Sequence, residues 1–255
     1  MLKLENTICF LGAYPCVGTT MIAQSVAETL ASHDIKTLFL SCNALSGCNF
    51  VSTDSIGTLD TYKSQLQNEL ITETEINSLL VKEGNLDILP GAMSIKDRYM
   101  YQPEDMEHLL AKIANRYDKI IIDCDIIDRG LTIGSLSISK KGFYIVTQQP
   151  GVLEAAMLQK KEKIFGLFPE NTQIIVNKYQ EDDMRVLLEQ IRMDLSLKAD
   201  PWTIPYTAYG WQAEHDKKTM LAYDKAFQAQ IAKIASDIAG KPIAEGKRRF
   251  FGWRK

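Results

Sequence analysis

The chain has 255 residues, of which 45% are hydrophobic and 24% charged, and a formal net charge of -3. That length holds one large α/β core or two small domains, and the small net charge gives no push toward bulk nucleic-acid binding. Five cysteines (Cys9, Cys16, Cys42, Cys48, Cys124) form no CxxC pair and His33, His108 and His215 are scattered, which argues against a disulfide framework or a zinc site and for a reducing compartment. No signal peptide or membrane-spanning run is read in the sequence.

The first element is an apolar run, Ile8 to Leu11, expected as a buried strand. A turn of small residues follows, and a helix is expected from about Thr20, with Ile22, Val26 and Leu30 at helical spacing. Strand, tight loop and helix are the layout of a phosphate-binding loop. Amides at the helix start point at an anion, and the helix dipole favours negative charge there. Gly18 lets the backbone approach closely, and Thr19 and Thr20 offer hydroxyls where a phosphate or a magnesium ion would sit. The loop reads GAYPCVGTTM and departs from GxxxxGK[ST], because no lysine lies between Lys3 and Lys36. An ordinary strand-turn-helix carries the same pattern.

A second apolar strand is expected over 36–42, after a short turn at His33 and Asp34. The resulting β-α-β unit starts a parallel sheet. Residues 43–57 are rich in Asn, Ser and Gly and read as loop; 58–83 read as two short helices and 86–90 as a strand. Pro103 opens a helix with Glu104, Asp105 and Glu107 at its start and a stripe of Met106, Leu109, Leu110 and Ile113. The run KIIIDCD, 119–125, has the unbroken apolar character of a central parallel strand until Asp123. Further strand and helix pairs are expected at 143–147 with 152–165 and at 173–176 with 182–197, then a strand at 202–205. A last helix over about 219–239 places Phe227, Ile231, Ile234 and Ile238 on one face and stops at Gly240 and Pro242. The expected fold is a doubly wound α/β domain over 1–240, its mostly parallel sheet covered by helices on both faces, followed by a tail at 241–255. A dinucleotide-binding Rossmann fold is the competitor. It lacks its GxGxxG, and Cys42 and Asn43 stand where an acidic residue would meet a ribose.

Asp123 ends its strand at the sheet edge that carries the loop after Leu11. A carboxylate there can hold a magnesium-bound water, or simply cap the next turn. Asp125 and Asp128 lie just beyond. Asn177 and Lys178 close the strand TQIIV, where a side-chain amide can read the edge of a base, or where a plain polar turn can sit. No GxSxG elbow exists for a serine hydrolase.

With these pieces in order, the chain resembles the MinD/ParA family of P-loop ATPases, and within it the CpaE/TadZ pilus-assembly branch. The resemblance spans about 5–239 and rests on the loop with its helix, on YDKIIIDCD at 117–125, and on IIVNK ending in Asn177 and Lys178. The branch is carried by TETEINSLLVKEGNLDILPG, 72–91, with the helix from Pro103. The family loop reads KGGxGKT[ST]. Placed on this chain, its signature lysine falls on Tyr14, the paired glycines on Pro15 and Cys16, the last glycine on Gly18, the second lysine on Thr19 and the magnesium threonine on Thr20. Asn43 falls where the family has a water-orienting aspartate, and Pro205 where a proline packs near the base.

The resemblance implies ATP or ADP with Mg2+, held by Tyr14, Pro15, Cys16, Val17, Gly18, Thr19, Thr20 and Met21 with Asn177, Lys178 and Pro205, and a metal on Thr20 and Asp123. It implies a homodimer. With both family lysines replaced, it implies a degenerate protein with little or no hydrolysis, serving localisation or assembly of a Tad/Flp-type pilus or related envelope machine. Two alternatives stand beside it. One is an active ParA-type ATPase that partitions DNA or cargo and draws its cations from Lys36, Lys178 or a partner. The other is an interaction scaffold that binds no nucleotide.

The tail IAEGKRRFFGWRK, 243–255, sets Lys247, Arg248, Arg249, Arg254 and Lys255 around Phe250, Phe251 and Trp253. Basic residues with aromatics suit an anionic membrane surface, which the MinD resemblance also implies. The same composition serves docking to a partner or to the domain itself, or nucleic acid, which the overall charge disfavours. A cytoplasmic protein, peripheral on the inner face of the cell membrane, is the expected location.

Overall fold

The computed structural model describes residues 3–42, 57–92, 94, 96–124, 129–182 and 186–244. Apolar, β-branched runs form the sheet. Its strands are β1 (Leu4–Gly12), β2 (Thr37–Ser41), β3 (Val81–Glu83), β4 (Leu86–Leu89), β5 (Lys119–Asp123), β6 (Ser139–Val146), β7 (Asn171–Tyr179) and β8 (Trp202–Pro205). They lie in the order β3-β4-β2-β5-β1-β6-β7-β8, and every neighbouring pair is parallel except β3 with β4. The helices are α1 (Thr19–Ser32), α2 (Lys63–Gln67), α3 (Glu73–Leu79), α4 (Pro103–Ile113), α5 (Gly130–Ile138), α6 (Pro150–Lys161), α7 (Leu188–Leu195), α8 (Gly210–His215) and α9 (Lys225–Ala239). The chain is therefore the doubly wound α/β domain expected from its sequence.

The middle strands carry the core. Phe10, Phe39, Ile120, Ile121, Ile122 and Tyr144 are all buried, and Phe10 stacks on Phe143 with ring centroids 4.9 Å apart. Because the strands run in parallel, Gly12, Ser41, Asp123, Val146 and Pro205 end at one edge of the sheet. The chain leaves β1 toward β2 and leaves β5 toward β6, on opposite sides. Such a reversal opens a crevice at the carboxyl ends of the strands, where open α/β sheets take their ligands.

Some elements differ from the sequence reading. The strand β3 lies within the stretch expected as helix and turns back on β4 through Gly84, at φ 63. The helix α5 is not expected from the pattern, because it is buried nearly all round and shows no polar stripe. The short helix α8 has one buried residue, Ala213, and so leaves no periodic signal. The last helix starts six residues later than expected from about 219, since the Asp224 carboxylate accepts from Phe227 N at 2.9 Å and caps it, while Met220–Ala222 form a separate 3-10 turn. Asn43, Asp125, Asp128, Cys48 and the tail residues Lys247, Arg248, Arg249, Phe250, Phe251, Trp253, Arg254 and Lys255 lie outside the described residues. No described helix is long and apolar enough to cross a membrane.

Candidate phosphate-binding site

The loop from Ala13 to Gly18 joins β1 to α1 at the carboxyl edge of the sheet. Val17 is buried and anchors it, while Tyr14, Pro15 and Cys16 are exposed. Gly18 has φ 97, and a Cβ there would lie 2.4 Å from the Asn177 amide nitrogen, so only glycine fits both the backbone and the space. Cys16 also has positive φ, at 63, where a family glycine is expected.

Side chains from outside grip the loop by its carbonyls. Gln159 Nε2 donates to Ala13 O at 3.0 Å, and Tyr144 OH holds Gln159 Oε1 at 2.7 Å. Lys178 Nζ donates to Cys16 O at 2.9 Å, and Asn177 Nδ2 donates to Val17 O at 2.7 Å. In a planar trans peptide the N–H points opposite to the C=O. Holding these three carbonyls therefore turns the amides of Tyr14, Val17 and Gly18 to the other side of the loop. Among the described residues, nothing accepts a hydrogen bond from them, and no side chain caps α1. Open amides at a helix N-terminus are an anion site. Pro15 contributes no N–H, so the cradle is one donor short.

Beside the amides stands an oxygen pair. Thr20 Oγ1 donates to Asp123 Oδ2 at 2.8 Å, and Ser41 Oγ approaches the same oxygen at 3.5 Å. Asp123 is buried. A hydroxyl and a carboxylate side by side suit a hard divalent ion such as Mg2+, which keeps most of its waters and takes few protein ligands. The described residues contain no cluster of three His, Cys, Asp or Glu side chains for a softer, fully caged metal.

The structure thus brings Val17, Gly18, Thr19, Thr20, Asp123, Asn177 and Lys178 to one place. Pro205 ends β8 at the same edge, paired with Tyr179. Asn177, expected to face a base, has its amide nitrogen on the loop here. Lys36 stands at the opposite edge, where its backbone N–H donates to Asp118 and its Nζ lies 5.5 Å from the centre of the Tyr117 ring, so it brings no charge to the loop. The sequence reading missed Gln159 and Tyr144. They lie on α6 and β6, and nothing in their spacing ties them to residue 13.

The mostly parallel sheet with a loop between β1 and α1 is an α/β fold of the P-loop type. No protein-family model matches the sequence, and no curated protein matches it. Solved structures do. A ParA family ATPase from Chlorobium tepidum is similar at TM-score 0.76 and 19% identity, covering 91% of this chain and 99% of its own. The MinD cell division protein of Aquifex aeolicus gives 0.74 and 17%, covering 94% and 100%. The septum site-determining protein MinD from Pyrococcus horikoshii, complexed with Mg-ADP, gives 0.71 and 16%, covering 93% and 96%. The chain has the fold of the ParA and MinD P-loop ATPases.

Proposed function

We infer that this protein binds ATP or ADP with Mg2+ in the crevice after β1 and turns it over very slowly or not at all. The observation that carries the reading is the Thr20–Asp123 hydrogen bond of 2.8 Å beside the open amides of the loop. The amides of Tyr14, Val17 and Gly18 receive phosphate oxygens. Thr20 and Asp123 would hold the magnesium ion, which neutralises charge on the phosphates when bound. Asn177 and Gln159 keep the loop in the shape that binding needs, which lowers the ordering cost of the ligand.

Slow turnover follows from the residues present. Phosphoryl transfer depends on positive charge and donors placed around the transferring group. Removing one well-placed donor typically costs about 10² to 10³ in rate. Tyr14 and Thr19 stand where the resemblance places lysines, and Asn43 where it places a carboxylate. Turnover below about 1 per minute is expected, against about 1 per second for an intact site. A measured rate near 1 per second would favour the active partitioning ATPase instead.

Calorimetry and thermal unfolding with ATP test the binding. At ATP about 100 times its Kd with Mg2+, the protein should gain about 2.7 kcal/mol of stability. Asp123→Ala should lose the magnesium-dependent part of that gain. No heat and no shift at millimolar ATP would leave the interaction scaffold as the better reading.

The same proposal sets the protein to work in positioning or assembling a Tad/Flp-type pilus or related envelope machine, as a homodimer held at the inner membrane face by its tail. The resemblance of 72–91 and the basic, aromatic composition of 247–255 support this part. Neighbouring genes with no secretion ATPase and no pilin would remove the pilus. Equal pelleting on anionic vesicles by the full chain and by one ending at Lys241 would remove the tail.

A further inference from the structure

The loop between Gly12 and Thr20 contains no basic residue, yet a cation is bonded to it. The ammonium of Lys178 reaches from β7 and donates to the Cys16 carbonyl at 2.9 Å. The backbone bends to bring it there. Lys178 has φ 55, the left-handed region that a residue with a Cβ enters at a cost. The pairing of β7 with β8 shifts register between Val176 and Tyr179, across this residue. A bulge of this kind re-aims a side chain, and an unfavourable backbone at a ligand edge points to use rather than packing. Lys178 is exposed, so the core does not require it.

The carbonyl of Cys16 belongs to the same planar unit as the N–H of Val17, and the two point opposite ways. An ammonium on that carbonyl and an anion on that amide would occupy the two ends of one peptide dipole. A cation at the carbonyl polarises the unit and strengthens the N–H as a donor. The neutral Asn177 amide acts in the same way one peptide further on, through Val17 O to the Gly18 amide.

We propose that Lys178 is a positioning residue that delivers, through the Cys16–Val17 peptide, the positive charge the loop lacks, and that it thereby favours a polyphosphate ligand over a bare nucleoside. The proposal rests on the nucleotide reading above. Its effect is electrostatic, acts across one peptide unit, and is partly screened by solvent.

The test uses the full chain with Mg2+, with ATP and adenosine as probes, at low and high salt. Lys178→Asn removes the charge and keeps a residue that tolerates the left-handed backbone. It should weaken ATP binding by about tenfold. It should change adenosine binding less than about twofold and flatten the salt dependence of ATP binding. Lys178→Arg should restore ATP binding to within about threefold, since it keeps the charge. Wild-type ATP affinity in the Asn variant would overturn the proposal. So would an equal loss of ATP and adenosine in both variants, which would make Lys178 a loop clamp only. A wild-type protein that binds no ATP would overturn the nucleotide reading itself, and this inference with it.

Discussion

Glu28 lies in the second half of α1, where Thr219 Oγ1 donates to one carboxylate oxygen at 2.6 Å and Gln24 Nε2 to the other at 3.0 Å. Burial pushes its carboxyl up from 4.5 to about 7, against the pull of those two hydrogen bonds and with a small added push from Glu83. The folded protein therefore holds a proton that the unfolded chain releases. Stability from this group is full below about pH 4.5 and is lost as pH rises through about 7. Denaturant titrations at pH 5 and pH 7.5 should differ by about 2 kcal/mol from this source, and Glu28→Gln should remove the difference. The same slope in both proteins would contradict this. At the site, Thr20, Asp123 and Asn177 are candidates in the sequence because each lies near the end or start of an element with a strong apolar pattern. What the pattern cannot carry is the direction of a side chain. That Asn177 and Lys178 turn onto the loop depends on a bulge and a left-handed residue. Neither leaves a mark in composition.

At the scale of elements, α5 is the instructive case. It packs on the first turn of α4 so closely that a Cβ at Gly134 would lie 2.2 Å from the Pro103 carbonyl oxygen and 2.9 Å from Met106 Cβ. Alanine gains about 1 kcal/mol of helix propensity over glycine. Overpacking against a neighbour typically costs about 1–3 kcal/mol, and here the neighbour is backbone that cannot rotate away. Gly134→Ala should therefore lower the Tm, and an unchanged or higher Tm would show that α4 yields. The same crowding explains why the helix is hidden in GLTIGSLSI. Small residues on every side serve burial and close approach, and burial on every side erases the amphipathic period. Strands such as β2 and β5 are buried on both faces as well, yet their short unbroken apolar runs, LFL and III, announce them.

For the whole molecule, the alternation of strand and helix is enough to give a parallel, doubly wound sheet, and the likeness to ParA and MinD structures agrees. Strand order is less visible, since it depends on long-range pairing. The two ends of that order have a consequence for self-association. One edge is β3, three residues long with Lys82 and Glu83. The other is β8, four residues that close on Pro205, which has no N–H to offer a new neighbour. Short, charged or proline-ended edges give an incoming strand few groups to pair with, which protects a chain against edge-to-edge aggregation. Two copies therefore have little means of joining by continuing the sheet. A pair formed through the described residues would be built from helices and loops, so its strength would depend on surface side chains that can change without disturbing the core.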